Sequence, residues 1–231
     1  MADPMLSRAS ELVGLLFQAH PWHGVATFAA PDVLQVYVEL VPTDPVKYEI
    51  DKLSGHLKLD RPQRFSSLCP TVYGFLPQTY CGDSVAARCA ERTGAAKIEG
   101  DHDPLDVCIL SEKTIVHGNF LARARAIGGL RMVDGDEADD KIIAVLEADL
   151  AYGGFQDIGD CPRALVERLE HYFLSYKQQP GAPANHKVRI AEVYDRAEAR
   201  EVIARSQADY RARFGAPEDR LGELRRLLTT P

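Results

Sequence analysis

Three carboxylates fall within six residues at Asp101-His102-Asp103-Pro104-Leu105-Asp106, and the run passes directly into the apolar Val107-Cys108-Ile109-Leu110. Carboxylates this close repel one another unless they are solvated or neutralised by cations. A strand over residues 105–111 places Asp106 near its start. Asp101 and Asp103 then lie in a loop that Pro104 stiffens and bars from ladder hydrogen bonding. Oxygen-only ligands converging from such a loop suit hard divalent cations, Mg²⁺, Mn²⁺ or Ca²⁺, better than zinc, which prefers His and Cys. An acidic surface turn explains one such motif equally well, so the second acid cluster matters: Asp134-Gly135-Asp136-Glu137-Ala138-Asp139-Asp140-Lys141. It too is framed by strand-like runs, residues 121–133 and 142–146, and acidic loops at strand ends can meet. Neither cluster has the loop glycine, distal glutamate and flanking helices of an EF-hand.

Alternation locates the strands that must position these acids. From Val33 onward Leu34, Val36, Val38 and Leu40 share one face and Gln35, Tyr37 and Glu39 the other, which predicts Glu39 on the side away from the core. Residues 46–51 alternate again, with Lys47, Glu49 and Asp51 opposite Val46, Tyr48 and Ile50. Ser54-Gly55 marks a turn, and residues 57–61 return as the partner strand of a hairpin. Taken alone, its charged face is an ordinary solvated one. Prolines and a glycine around two aromatics make residues 69–77 a rigid bend rather than a regular element.

Between residues 80 and 100 runs a long connection, with a short helix over 84–92 whose charges are solvated. Cys161-Pro162 opens a helix capped by Asp160, with Leu165, Leu169, Tyr172, Phe173 and Tyr176 on one stripe and Lys177 at its end. A Gly/Pro-rich loop at 178–185, a strand at 187–193, a charged amphipathic helix at 195–214 and a surface helix at 218–228 complete the chain. Residues 5–20 have helical rhythm but carry Glu11 and lack a basic leader, which makes a poor secretion signal. They read as a helix packed on the domain or on a partner subunit. His20-Pro21-Trp22-His23 reads as structural, since nothing near it supplies further metal ligands.

With 231 residues, 45% of them hydrophobic, the chain can bury the core of one domain. Its parts are an N-terminal helical extension over about 1–22, a core over about 33–150 and C-terminal helices over about 160–230. A net charge of −7 argues against a partner that is a nucleic acid or a membrane surface, because both need basic patches. Five scattered cysteines, odd in number and without metal-knuckle spacing, point to reduced thiols in a cytoplasmic protein. No stretch is long and apolar enough to span a membrane.

Asp101-x-Asp103-Pro104-x-Asp106 closely resembles the D-x-D-P-x-D signature of the family I soluble inorganic pyrophosphatases. Further blocks of that family are matched in the same order by Pro45-Val46-Lys47-Tyr48-Glu49, Asp60-Arg61, Tyr73-Gly74-Phe75-Leu76-Pro77-x-Thr79, the acid loop at 134–141, and Tyr176-Lys177. The resemblance implies an α+β, β-rich fold: an OB-like five-stranded barrel, closed or partly open, with flanking α-helices. It implies hydrolysis of pyrophosphate, bound as its magnesium complex, by in-line attack of a metal-activated water. Several Mg²⁺ ions would serve each site, with Mn²⁺ as a possible substitute. Asp101, Asp106, Asp134 and Asp139 would hold metal directly, Asp106 and Asp139 as bridges, while Glu39 and Glu49 would act through metal-bound waters or an added metal. Asp103 would be the base. Lys47, Arg61, Tyr73, Lys141, Tyr176 and Lys177 would grip the phosphoryl groups. A homo-oligomer, hexamer or dimer, is implied as well.

The chain departs from the family pattern at His102, where many members have glycine or asparagine, and in a longer connection between Thr79 and Asp101. Two readings from other classes compete: a divalent-metal-binding OB-like interaction module without hydrolase activity, and a calcium-regulated protein with structural acid loops. An OB-like nucleic-acid binder would need a basic groove where this one would be lined with acids.

Overall fold

The computed structural model describes residues 18–177 and 188–216, together with 219, 222, 223 and 226. The chain passes through β1 (Phe28–Ala30), β2 (Val33–Leu40), β3 (Val46–Ile50), β4 (Leu57–Pro62) and β5 (Val72–Phe75), then α1 (Asp83–Thr93), β6 (Glu99–Gly100) and β7 (Asp106–Leu110). It continues through β8 (Phe120–Asp134), β9 (Glu137–Ala138), β10 (Lys141–Leu146), α2 (Arg163–Ser175), β11 (Val188–Asp195) and α3 (Arg196–Phe214). Strands pair in the order β2, β5, β7, β10, β8, and β8 returns to pair with β2, closing a five-stranded barrel. The helices α1, α2 and α3 flank it among the described residues, giving a β-rich α+β fold. The hairpin β3–β4 stands apart as its own two-stranded sheet, with Lys47 opposite Arg61.

One apolar cluster draws on all five barrel strands, through residues such as Val36, Val72, Val107, Ala124 and Ile142, and on α1 and α3. A second lies where β7, β8 and β10 meet Leu169 and Phe173 of α2. Burial on both faces explains why β7 and β10 are near-continuous apolar runs. They form the barrel's parallel pair, in which Lys141 faces Asp106 across the ladder.

Glu39, expected on the side of β2 away from the core, is nonetheless buried. It is 6% exposed, and its Oε1 accepts from the backbone N–H of Ile50 at 2.6 Å, because β3 packs over that face of β2. The bend expected at 69–77 contains the barrel strand β5. Gly74 is what allows it: a Cβ there would sit 1.9 Å from the carbonyl oxygen of Tyr37 on the neighbouring strand.

Asp160 does not cap α2. It closes the preceding 3₁₀ turn Ile158–Asp160, accepting from Gln156 N–H at 2.8 Å, and the helix opens instead behind Pro162. The short helix α1 forms, yet its arginines are not simply solvated: Arg88 pairs with Glu198 and Arg92 with Glu192. In the His20 to His23 segment, His20 Nδ1 accepts from Trp22 N–H, and Trp22 is buried. Of the expected N-terminal helix, residues 5–17 lie outside the described residues and 18–20 are not in a regular element. The loop at 178–185 and most of the helix at 218–228 also fall outside them.

Candidate active site

The parallel pairing of β7 with β10 sets Asp106 and Lys141 side by side at the strand starts, with each acid loop entering just before. The loops meet, as their positions at strand ends anticipated. β6 pairs with β9 through Glu99 opposite Glu137 and Gly100 opposite Ala138, which ties the 101–103 loop to the 134–140 loop. Lys141, buried at 3% exposure, donates to both Asp106 and Asp139. Within the first loop Asp103 N–H donates to Asp101 Oδ1 at 2.9 Å, and His102 adopts φ +64°. That left-handed conformation is one that glycine and asparagine adopt at least cost, so His102 occupies a position with a conformational demand.

A cavity of about 220 Å³ opens here. Asp101, Asp103, Asp106, Asp134 and Asp139 line it, as do Lys47, Tyr73, Lys141, Tyr176 and Lys177. Ten of the thirteen residues singled out from sequence thus share one wall. Glu39, Glu49 and Arg61 do not line the cavity but adjoin it. Glu49 Oε2 accepts from Lys47 Nζ at 2.9 Å, Glu39 lies beneath β3, and the Arg61 guanidinium rests over the Tyr176 ring at 5.9 Å. Lys177 pairs with Asp134 at 2.5 Å, and Asp60 is a second partner of Lys47 at 3.2 Å.

Several lining residues were not anticipated. Glu137 lay within the recognised acid cluster but was not singled out. Tyr172 and Phe173 belonged to the apolar stripe of α2, whose C-terminal turn becomes an aromatic wall, with Lys141 Nζ 5.7 Å from the Phe173 ring centre. Lys52, at the tip of the hairpin, pairs with Asp103, a contact between loops 51 residues apart that local spacing does not reveal.

Six carboxylates line the cavity, Asp101, Asp103, Asp106, Asp134, Glu137 and Asp139, against three ammonium groups, Lys47, Lys141 and Lys177. The imbalance is felt by the acids. Burial, reinforced by the charges of Asp139 and Asp106, pushes the Asp101 carboxyl well above the usual carboxylate range. Burial raises Glu39 to about 8 against the pull of the Ile50 N–H. Burial likewise raises the Tyr73 phenol, helped by Asp106, so Tyr73 stays a hydrogen-bond donor. For Lys141, burial disfavours the charge, but Asp106 and Asp139 outweigh it and hold the ammonium well above its ordinary value.

Among the described residues no three His, Cys, Asp or Glu side chains converge as a metal-holding set. Lysines hold the carboxylates instead, with Lys141 between Asp106 and Asp139. The donor chemistry nevertheless fits a hard divalent cation, since the donors are oxygens, they outnumber the local cations, and Asp101 is destabilised as an anion where it stands.

Comparison with known proteins agrees with this geometry. A family model described as inorganic pyrophosphatase matches residues 36–211. An inorganic pyrophosphatase of Chlamydia caviae is 49% identical over 84% of this chain and 92% of its own length. A soluble inorganic pyrophosphatase of Zea mays is 36% identical over 83% and 79% respectively. Among solved structures, an inorganic pyrophosphatase from Thermus thermophilus superposes with a TM-score of 0.68 at 29% identity, covering 84% of this chain and 99% of that one.

Proposed function

The chain belongs to the inorganic pyrophosphatase family, and we propose that the acid- and lysine-lined cavity is where it hydrolyses pyrophosphate, with Mg²⁺ as its divalent cofactor. The observation that carries the reading is the convergence of six carboxylates and three lysines from β3, β7, β10, the acid loops and the end of α2 on one cavity. Asp101, Asp106, Asp134 and Asp139 would hold the metal ions, with Glu49 on the hairpin and Glu39 beneath it acting through metal-bound waters or an added metal. Bound divalent cations supply Lewis acidity, neutralising phosphoryl charge and acidifying water.

The chain's own residues do the rest by positioning and charge, because phosphoryl transfer asks for little covalent work from a protein. Asp103 accepts the proton of the attacking water. The new P–O bond forms as the bridging P–O bond breaks, and the second phosphate leaves with the bridging oxygen. Lys47, Lys141 and Lys177 place point charges against phosphoryl oxygens, and Arg61 offers a planar fork of donors. Tyr73 and Tyr176 donate hydrogen bonds without adding charge. Lys52, at the hairpin tip, pairs with Oδ1 of Asp103, and the carboxylate keeps a second oxygen to accept from the water.

The test is phosphate release from pyrophosphate with Mg²⁺, with Mn²⁺ and with chelator. Asp103→Asn should slow turnover and alter the pH–rate profile while changing metal affinity less than Asp106→Asn does. Metal-independent release would sink the metal assignment, and no release at all would favour an interaction module. The chain is further read as one domain acting as a cytoplasmic homo-oligomer, hexamer or dimer, a point that sedimentation decides. All five cysteines are free and buried, which suits a reducing compartment. The net charge of −7 suits a small anion held through cations better than a nucleic acid or a membrane surface.

A further inference from the structure

Asp209, on α3, is a buried carboxylate that none of the chemistry above uses. Its two oxygens accept from the backbone N–H groups of Gly82 at 3.1 Å, Ser84 at 3.0 and 3.1 Å, and Val85 at 3.0 Å. These are donors that the start of a helix leaves without intrahelical partners. The N-cap position of α1 is Gly82, which has no side chain to serve them, so the cap comes from 127 residues away in sequence.

The capped turn leads straight into the acid loop. Cys81 N–H donates to the Asp103 carbonyl at 2.8 Å, and the Cys81 carbonyl accepts from His102 N–H at 3.1 Å. The two backbones touch so closely that a Cβ on Gly100 would lie 2.1 Å from the Cys81 carbonyl oxygen. Tyr80 fastens the same segment twice: its N–H donates to the Ser206 carbonyl on α3 at 3.0 Å, and its hydroxyl pairs with His102 Nδ1 at 2.7 Å.

We propose that Asp209 is a positioning residue for the active site: by fixing the 80–85 turn against α3, it sets where the Asp101 and Asp103 carboxylates stand. The inference rests on the assignment of those acids to metal binding and proton transfer. A desolvated carboxylate holding three N–H groups is a stiff anchor, because charge-assisted hydrogen bonds are shorter and stronger than neutral ones. The acid loop has need of one. It contains a non-glycine residue at positive φ and carries mutually repelling carboxylates, both of which favour its rearrangement. Groups that hydrogen-bond metal ligands directly are worth roughly 10- to 100-fold in metal affinity, and Asp209 acts one step further out, through the 80–85 backbone, so the lower end is expected.

The experiment compares Asp209→Ala and Asp209→Asn with Val202→Ala in the full chain. Val202 is a buried residue of the same helix that shares an apolar cluster with Cys81 and Val85 but makes none of the hydrogen bonds that cap the 80–85 turn, so its truncation loosens α3 without removing the cap. Hydrogen exchange followed by mass spectrometry, without metal, reads residues 80–85 and 100–105. Electron paramagnetic resonance then measures the dissociation constant for Mn²⁺ well below the melting temperature.

Asp209→Ala should speed exchange in both segments and weaken Mn²⁺ binding roughly tenfold. Asp209→Asn, which keeps one acceptor oxygen, should do less of each and carries the test if the alanine variant does not fold. Val202→Ala should lower the melting temperature and change neither readout at 100–105. Unchanged exchange at 100–105 in the Asp209 variants would overturn the proposal, whatever the metal does. So would faster exchange with wild-type Mn²⁺ affinity, or an equal weakening by Val202→Ala. A wild-type protein that bound no Mn²⁺ would overturn the assignment of the acids, and the role of Asp209 with it.

Discussion

The cavity and the ionic network behind it are both built from carboxylates and cationic side chains but differ in charge balance. In the cavity, carboxylates outnumber ammonium groups two to one; Asp101 is pushed up there, as is Glu39 beside it. In the network, Arg131 is fully buried and reaches Glu192 at 3.3 Å, Glu198, and Asp140 at 3.6 Å. Arg88 also holds Glu198, and Arg92 holds Glu192, so both glutamates sit below their ordinary values because guanidinium hydrogen bonds favour their charged form. Asp140 joins the two regions. Its neighbours in sequence, Asp139 and Lys141, face the cavity, whereas its own carboxyl is buried beside Arg131 and raised to about 7 by that burial. The glutamates of the network are satisfied within the chain, while the Asp140 carboxylate beside Arg131 finds no hydrogen bond among the described residues. The cavity is left with an excess of carboxylates, which on the proposed function a cation and an anion from outside would complete.

The hardest blow to this contrast comes from the cavity acids. Asp101→Asn or Asp106→Asn removes a carboxylate from a site that metal Lewis acidity serves by several kcal/mol, so hydrolysis should fall about a thousandfold or more. The fold should persist, read by circular dichroism beside phosphate release at saturating Mg²⁺. Near wild-type turnover would return the acid loops to the surface-turn reading.

In the network the order of effects should be reversed. Arg131→Met leaves Glu192, Glu198 and buried Asp140 short of a partner, which should cost roughly 3–5 kcal/mol of stability. Urea unfolding measures this, and turnover per folded molecule should change far less than in the Asp106 variant. A variant as stable as wild type would show that the network is not the balanced structural device described.

Smaller effects are expected at the cations of the hairpin. Lys47→Ala and Arg61→Ala each remove a charge-assisted contact worth roughly 1.5–3 kcal/mol, which means about a 10- to 100-fold loss in kcat/KM. The melting temperature should hardly move. Arg61→Lys should not rescue fully, because an ammonium cannot reproduce the guanidinium fork or its stacking on Tyr176. Unchanged kinetics in all three would make the hairpin face an ordinary solvated one.

The smallest effect is a difference in the sign of pH dependence. Glu39, ordinarily at 4.5, is near 8 in the folded chain, so between these values the folded state keeps a proton that the unfolded state has lost. Stability of the metal-free protein should therefore fall as pH rises through that window, with Asp101 and Asp140, raised likewise, adding to the loss, and Glu39→Gln should lessen the slope. Glu192 and Glu198 titrate lower in the folded chain than their ordinary 4.5. Their contribution is complete above 4.5 and is lost as pH falls through the folded values. Melting curves from pH 4 to pH 9, with and without Glu39→Gln, check both directions.

What the amino-acid order determined by itself is whatever is written in neighbouring residues. The two acid loops, the Lys47 and Arg61 hairpin, the alternation of β2 and the stripe of α2 are local patterns, because side-chain direction repeats every two residues in a strand and about every 3.6 in a helix. Most of the cavity was legible because these local blocks, taken in order, resemble those of the family; alternation alone left the hairpin face an ordinary solvated one. Only the tertiary structure decided that Glu39 is covered by β3, that Lys141 stands between Asp106 and Asp139, and that residues 69–77 carry a barrel strand. It also decided which acids of the charged helix matter. Asp195 caps its own helix, whereas Asp209 caps another 127 residues away, and nothing in the spacing of either distinguishes them. Burial and charge balance are set by what packs across from a residue, and that partner is chosen by closure of the barrel.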